Sequence, residues 1–427
     1  MVLEPTQTTA AFSRTDLMLA AIVSFVGFLV YASMAWRLAQ GVYFDYYNLA
    51  FDYDPEKFVE AFVGNAEYRG EFRHPLIMLL HPLGALLADA GLGTKGAAGL
   101  MMALLGALRL GMILLCTRAI GASRASAVAL ALLFAVSGVQ VFLSMIAESY
   151  GPAMDALLVG WLVVFLRQRG TPPHPAWTLA AGVANFGITV SNIAQLGLAT
   201  LGLDIAEFGI RVGIVRTLRW SLAVVAVTVV AALPIWYDLL PGYGAAPLQT
   251  LKEIYWAGQM HGPKTGFLAV IETFIGYSFV SPAYSVLDIP GGIAMRDFRA
   301  PLYDPLGWLT LGCWLVMLGA GTWSWLRRPG WRVVAGALFA AVIVNVLVHH
   351  SFQFRGSLYL YAAHPHVPLF LIAAGIAVDR HGWRIPGALF GLALLMAAVN
   401  LPAAMHFTTS FDTVNIRCAA PCANPQD

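Results

Sequence analysis

Carboxylates set among aromatic residues beside apolar stretches are the groups in this chain best suited to moving protons. The segment from Gly41 to Pro55 carries Asp45, Asp52 and Asp54 between Tyr43, Phe44, Tyr46, Tyr47, Phe51 and Tyr53. Such neighbours partly desolvate a carboxylate, which raises its pKa and suits it to general-base work. Asp45 is the first choice for that role. Asp52 and Asp54 also fit the start of a helix near Pro55, where Asp and Pro are favoured. A second acidic place is Glu148, in the turn from Ser144 to Pro152. An acid among apolar neighbours is costly unless solvated, paired or used. Asp155 competes for the same role, although its place in the first turn of the next helix also suits a cap.

Cations and phenols complete the set. Arg73 and His74 directly precede Pro75 and an apolar run to Ala88. There they are expected to grip a lipid phosphate, or to snorkel to ordinary headgroups. Arg355, followed by Tyr359 and Tyr361, is a candidate anion and sugar contact, since Arg offers a rigid fork and Tyr a stacking face with a hydroxyl. Tyr150 joins these tyrosines as a candidate sugar or acceptor contact. His349, His350, His364 and His366 admit two readings, a metal site or interfacial packing. Arg109 lies deep in an apolar stretch, so it must face the inside of a bundle or a wet cavity.

The elements that position these residues are membrane spans. Hydrophobic residues make up 59% of the 427, charged residues 11%, and mean hydropathy is +0.71; a soluble domain carries about a quarter charged residues. The net charge of +2 provides no basic footprint for nucleic acid. Short arginine clusters separate the apolar stretches: Arg14; Arg118 and Arg124; Arg167 and Arg169; Arg211, Arg216 and Arg219; Arg327, Arg328 and Arg332; Arg380 and Arg384. Placing them in the cytoplasm predicts about eleven spans, near 16–35, 97–117, 125–146, 153–167, 176–190, 193–210, 220–238, 305–326, 332–349, 367–379 and 385–402. The N-terminus is then inside and the C-terminus outside. The outer segments 36–96, 239–304 and 350–366 are long and rich in acids, aromatics and histidines. Counting Pro75–Ala88 as a further span would carry Arg118 and Arg124 outside, so it is expected to be a juxtamembrane helix. The whole of 1–427 is expected to form one polytopic domain, with 239–304 as a partly helical outer cap bearing Tyr243, Trp256, Tyr277 and Tyr284. Cys418 and Cys422, in the outer tail, are expected to pair as a disulfide. Walker-type loops, HExxH helices and GxSxG elbows are absent from the sequence, so those hydrolase classes lack their signatures.

The order of these motifs resembles the GT-C superfamily of polytopic glycosyltransferases, and is similar to bacterial aminoarabinose transferases and protein O-mannosyltransferases. The resemblance covers roughly residues 16–170 and, more weakly, 305–400. Asp45 matches the family's loop Asp, Arg73-His74-Pro75 its basic-Pro motif for donor phosphate, Glu148 its second acidic site, and Arg355 through Pro368 its late Arg/Tyr/Pro segment. The chain departs from the pattern in having no acidic neighbour beside Asp45 and in having His74 where Lys-Pro or a second Pro is common, so a divalent metal stays an open cofactor. What the resemblance implies is an all-α membrane enzyme of the bacterial inner membrane. It would transfer a sugar from a polyprenyl-phosphate donor to a glycan, lipid or protein acceptor on the outer face. Asp45 would act as base, with Glu148 orienting the acceptor or tuning Asp45. Arg73, His74 and Arg355 would hold the phosphate. A lipid-linked-sugar flippase is the alternative, but transporters favour paired polar groups at the midplane in two similar halves. Here the acids sit at the outer boundary and no repeat is visible.

Overall fold

The computed structural model describes residues 11–46, 49–51, 53–63, 74–236, 266–289, 293–351, 357–378 and 382–411. Arg73, Asp52, Arg355, Tyr243, Trp256, Cys418 and Cys422 therefore lie outside the described residues. The helices are α1 (Arg14–Ala39), α2 (Pro55–Val63), α3 (His81–Leu87), α4 (Gly93–Ala119), α5 (Arg124–Ala135), α6 (Gly138–Phe142), α7 (Tyr150–Gln168), α8 (Pro175–Ile188), α9 (Ile193–Phe208), α10 (Ile210–Trp236), α11 (Phe267–Ile271), α12 (Pro305–Leu326), α13 (Arg332–Ser351), α14 (Ala363–Ala374) and α15 (Arg384–Thr409). Among the described residues seven helical stretches are long and apolar enough to cross a membrane, and α5 and α14 are shorter apolar helices. The protein is an all-α polytopic membrane protein with one exception, an antiparallel hairpin of β1 (Ala283–Ile289) and β2 (Ile293–Leu302).

The helix starts follow local chemistry. Ser13 caps α1 in a reciprocal box: its Oγ accepts from the Asp16 N–H, and Asp16 accepts from the Ser13 N–H. Ser123 caps α5 by accepting from the Ser126 N–H. Asp304 caps α12 ahead of Pro305. Exposed Trp36 and Trp308 lie near one set of helix ends and exposed Trp177, Trp323 and Trp383 near the other, as expected of rings that settle at membrane interfaces.

Ion pairs gather the arginine-bearing ends on one face. Asp16, at the start of α1, lies 3.0 Å from both Arg118, at the end of α4, and Arg124, at the start of α5. Arg167, at the end of α7, lies 2.6 Å from Asp204 in the last turns of α9, and Gln168 donates to the Gly330 carbonyl. Arg328 donates to the Val378 carbonyl. Helices α1 and α4 are thus antiparallel, and the end of α1 and the start of α4 lie on the face opposite these arginines. The helical path from Ile77 to Ala119 is 43 residues long, about twice what one crossing needs. Left-handed backbone at Gly91 (φ 95°) and Gly93 (φ 67°) divides it, separating α3 from α4.

Several boundaries differ from expectation. Residues 125–146 do not form one helix. At Ser137 the hydroxyl donates back to the Phe134 carbonyl, while the N–H groups of Gly138 and Val139 donate to Phe279 and Ser278. The ladder is thereby diverted to another segment, which ends α5 and leaves α6 as a short buried helix. Helix α10 begins ten residues before the expected 220, so Arg211, Arg216 and Arg219 ride on its first turns. Helix α14 begins at Ala363 rather than 367 and buries His364 and His366. The described part of 239–304 holds a helical stretch over Phe267–Tyr277 followed by the hairpin.

Candidate functional site

Two buried staples hold the turn that carries Glu148. The Arg109 guanidinium donates to Gln140 Oε1 at 2.9 Å and to the Leu143 carbonyl at 3.1 Å, and its Nε lies 3.3 Å from Asp155. Arg109 and Asp155 therefore answer one another inside the bundle. Gly106 on α4 lets the turn approach closely, since a Cβ there would lie 2.2 Å from Ser144 Oγ and 3.1 Å from Ser144 Cα.

Glu148 projects from this turn and is 2% exposed. Its Oε1 accepts from the Ser149 N–H at 2.8 Å and the Ser149 hydroxyl at 3.1 Å, and its Oε2 accepts from the Asp54 N–H at 3.1 Å. Burial, and then the nearby Asp54 charge, push its pKa up to about 7 against these hydrogen bonds. The Tyr43 and Tyr53 phenols lie close enough to feel the Glu148 charge; both are buried and have pKa values raised chiefly by burial. Among the described residues the hydroxyls of Tyr43 and Tyr53 are buried without a hydrogen-bond partner.

The first outer loop reaches Glu148 by a strained path. Phe51, with no exposed surface, has φ 55°, an outlier for a bulky residue. It is held there on both sides: its N–H donates to the Arg296 carbonyl, the Arg296 N–H donates to the Leu49 carbonyl, and its ring packs on Phe142, Phe298 and Tyr359. Strand β2 thus fixes the backbone three residues before Asp54. Arg296 itself donates to the Ser410 carbonyl and stacks 4.2 Å from the Phe411 ring, while its buried Nε has no hydrogen-bond partner among the described residues. Asp297 is buried and accepts from the Ser357 hydroxyl.

The expected site residues separate into groups. Asp45 lies in a turn after α1, its side chain 40% exposed and 2.5 Å from Lys95 at the start of α4. His74 is next to the Glu148 turn: its Nδ1 is 2.8 Å from the Ile188 carbonyl, which makes that nitrogen the donor, and its Nε2 is 3.5 Å from Ser149 Oγ. The adjoining Leu76 docks on Gly187, where a Cβ would meet its side chain at 2.4 Å. Tyr150 packs edge-on to Tyr361 and His364. Tyr359 belongs to the aromatic cluster around Phe51. The histidines pack: His349 stacks on Tyr361 and His364, His364 bonds Asn192, and His366 bonds Ser137 and stacks on Phe279. Among the described residues no three His, Cys, Asp or Glu side chains stand together as metal ligands. Tyr43 and Tyr53, near the Glu148 charge, and Arg296, bonded to the loop backbone, are further site candidates. The alternation of acids and phenols in 41–55 was the available signal for the tyrosines, and nothing local marks Arg296.

No family model and no curated protein sequence matches this chain. Among solved structures, ArnT from Cupriavidus metallidurans, determined bound to undecaprenyl phosphate, aligns over 94% of this chain and 78% of its own, at 14% identity and a TM-score of 0.53. The fold is that of the ArnT structure. The apo oligosaccharyltransferase from Archaeoglobus fulgidus aligns over 94% of this chain and 56% of its own, at 14% identity and a TM-score of 0.49. Within this fold, the Glu148 turn and the residues around Asp54 lie together on the face opposite the arginine clusters.

Proposed function

We propose that this chain transfers a sugar from a polyprenyl-phosphate donor to an acceptor hydroxyl on the outer face of the bacterial inner membrane. The observation that carries the reading is Glu148: a carboxylate buried beside the loop acids and tyrosines, with its pKa raised to about 7, poised for proton transfer near neutrality. The GT-C fold supports the reaction class, and the polyprenyl phosphate bound to the similar ArnT structure supports the donor class.

In this reading the acceptor hydroxyl gives its proton to Glu148 as its oxygen bonds to the anomeric carbon. The bond from that carbon to the phosphate oxygen breaks, inverting the configuration and releasing polyprenyl phosphate. The base role thereby moves from Asp45, which is paired with Lys95, to Glu148. Arg73, His74 and Arg355 remain the proposed phosphate contacts, and Arg296 joins them, because cations near the leaving group stabilise the growing negative charge. Tyr150, Tyr359 and Tyr361, with Tyr43 and Tyr53, offer ring faces and hydroxyls to the sugar or acceptor. In this reading segments 36–96 and 239–304 belong to the outer side of a single domain, 1–427, whose N-terminus is cytoplasmic and C-terminus outside.

The test is transfer of labelled sugar from a synthetic polyprenyl-phosphate donor by purified protein in detergent, set beside donor translocation in liposomes. Transfer in detergent is the expected result. Translocation without transfer by active, folded protein would replace the enzyme reading with a flippase.

A further inference from the structure

A second site lies at the opposite end of the molecule. Helices α1, α5 and α15 pack together and all begin on the arginine face, and between them runs an apolar groove. One cavity of about 440 Å³ is lined by Leu19, Val128, Leu132, Phe390 and, at its end, Arg124. A second, of about 210 Å³, shares Leu132 and Phe390 and continues toward Tyr31 and Leu401. Apart from Arg124 and Tyr31 every lining side chain is apolar. The groove opens sideways past Val26, Val30, Phe390 and Leu394, each more than two-fifths exposed.

Charge at the mouth selects an occupant. Arg14, Arg118, Arg124 and Arg384 stand at these helix ends, and among the described residues there Asp16 is the one acid. Its carboxylate is shared by Arg118 and Arg124. Arg124 remains half exposed, and Arg14 and Arg384 are exposed and form no ion pair among the described residues. An apolar slot of chain width ending in surplus arginine matches a lipid with an acyl tail and an anionic head.

We propose that this groove holds one acyl chain of an anionic phospholipid from the leaflet on the arginine side, with its phosphate against Arg14, Arg124 and Arg384. The site is separate from the proposed sugar-transfer centre and does not depend on that reading.

The experiment uses the full chain, purified and delipidated, titrated with phosphatidylglycerol or with phosphatidylcholine of identical chains; binding is followed by native mass spectrometry and thermal stability. Phosphatidylglycerol should bind more tightly and stabilise more. The exposed double substitution Arg14→Gln/Arg384→Gln should weaken phosphatidylglycerol about fivefold per arginine, roughly twenty-fivefold in all, while phosphatidylcholine changes little. Ala125→Trp, which blocks the mouth from an exposed position, should abolish retention of either lipid without lowering the melting temperature of the lipid-free protein. Equal binding of the two lipids, or wild-type phosphatidylglycerol binding by either variant, would overturn the proposal. Displacement of bound phosphatidylglycerol by stoichiometric polyprenyl phosphate would overturn it too, by making the carrier lipid the occupant.

Discussion

At the residue scale the two candidate carboxylates have opposite surroundings. Asp45 is part exposed and held by a lysine, whereas Glu148 is buried and its charge is opposed by burial and by Asp54. If Glu148 is the base, kcat/KM rises as pH passes through about 7 and levels off above it. Glu148→Gln should lose two to four orders of magnitude in single-turnover transfer, roughly the worth of a positioned base, and lose that acid limb with it. Asp45→Asn should fall less; a Glu148→Gln enzyme that keeps wild-type rates while Asp45→Asn loses them would return the base role to Asp45. Stability gives an independent check. The folded protein binds the Glu148 proton more tightly than the unfolded chain, so this group's contribution declines as pH rises from 4.5 to about 7 and stays low above. Melting temperatures between pH 5 and 8 should show that decline in the wild type and a flatter curve in Glu148→Gln.

At the element scale the site depends on helices that stop early or pack closely. Arg109→Met should destabilise by about 3–5 kcal/mol, because it leaves Asp155 buried and unpaired. Arg109→Met/Asp155→Leu should recover much of that loss. Thermal melts in detergent compare the two, and a double variant no more stable than the single would argue that the contact to the Leu143 carbonyl, rather than charge pairing, is what matters. Gly106→Val should cost about 1–3 kcal/mol by overpacking against Ser144, and it should lower transfer further because the displaced backbone carries Glu148. A Gly106→Val protein that melts like the wild type would show that the turn has room to yield.

For the whole molecule, the meeting of Asp16 with Arg118 and Arg124, and of Arg167 with Asp204, makes one face basic. If that face is cytoplasmic, single cysteines at Ser123, Gly170 and Gly330, in a protein otherwise free of cysteine, should resist an impermeant thiol reagent in intact cells. A cysteine at Gly266 should react. Labelling at Ser123 together with protection at Gly266 would invert the topology and place the Glu148 site inside.

Residue chemistry alone determined the class of this protein, most of its helices and the side on which its acids gather. Apolar stretches of membrane length and arginines between them are local properties, legible without knowing what packs where. Tertiary structure decided the pairings. The backbone hydrogen bonds that end α5 come from residues 278 and 279, about 140 positions away, and the arginine that meets the first outer loop lies on a hairpin some 245 residues beyond it. Arg109 could be recognised from its position as needing company, but Asp155 and Gln140 became its partners only when α4, α6 and α7 packed together. The tuning of Glu148 is of the same kind. A carboxylate's pKa follows from burial and neighbouring charge, and both were created here when the Asp54 loop closed over the turn.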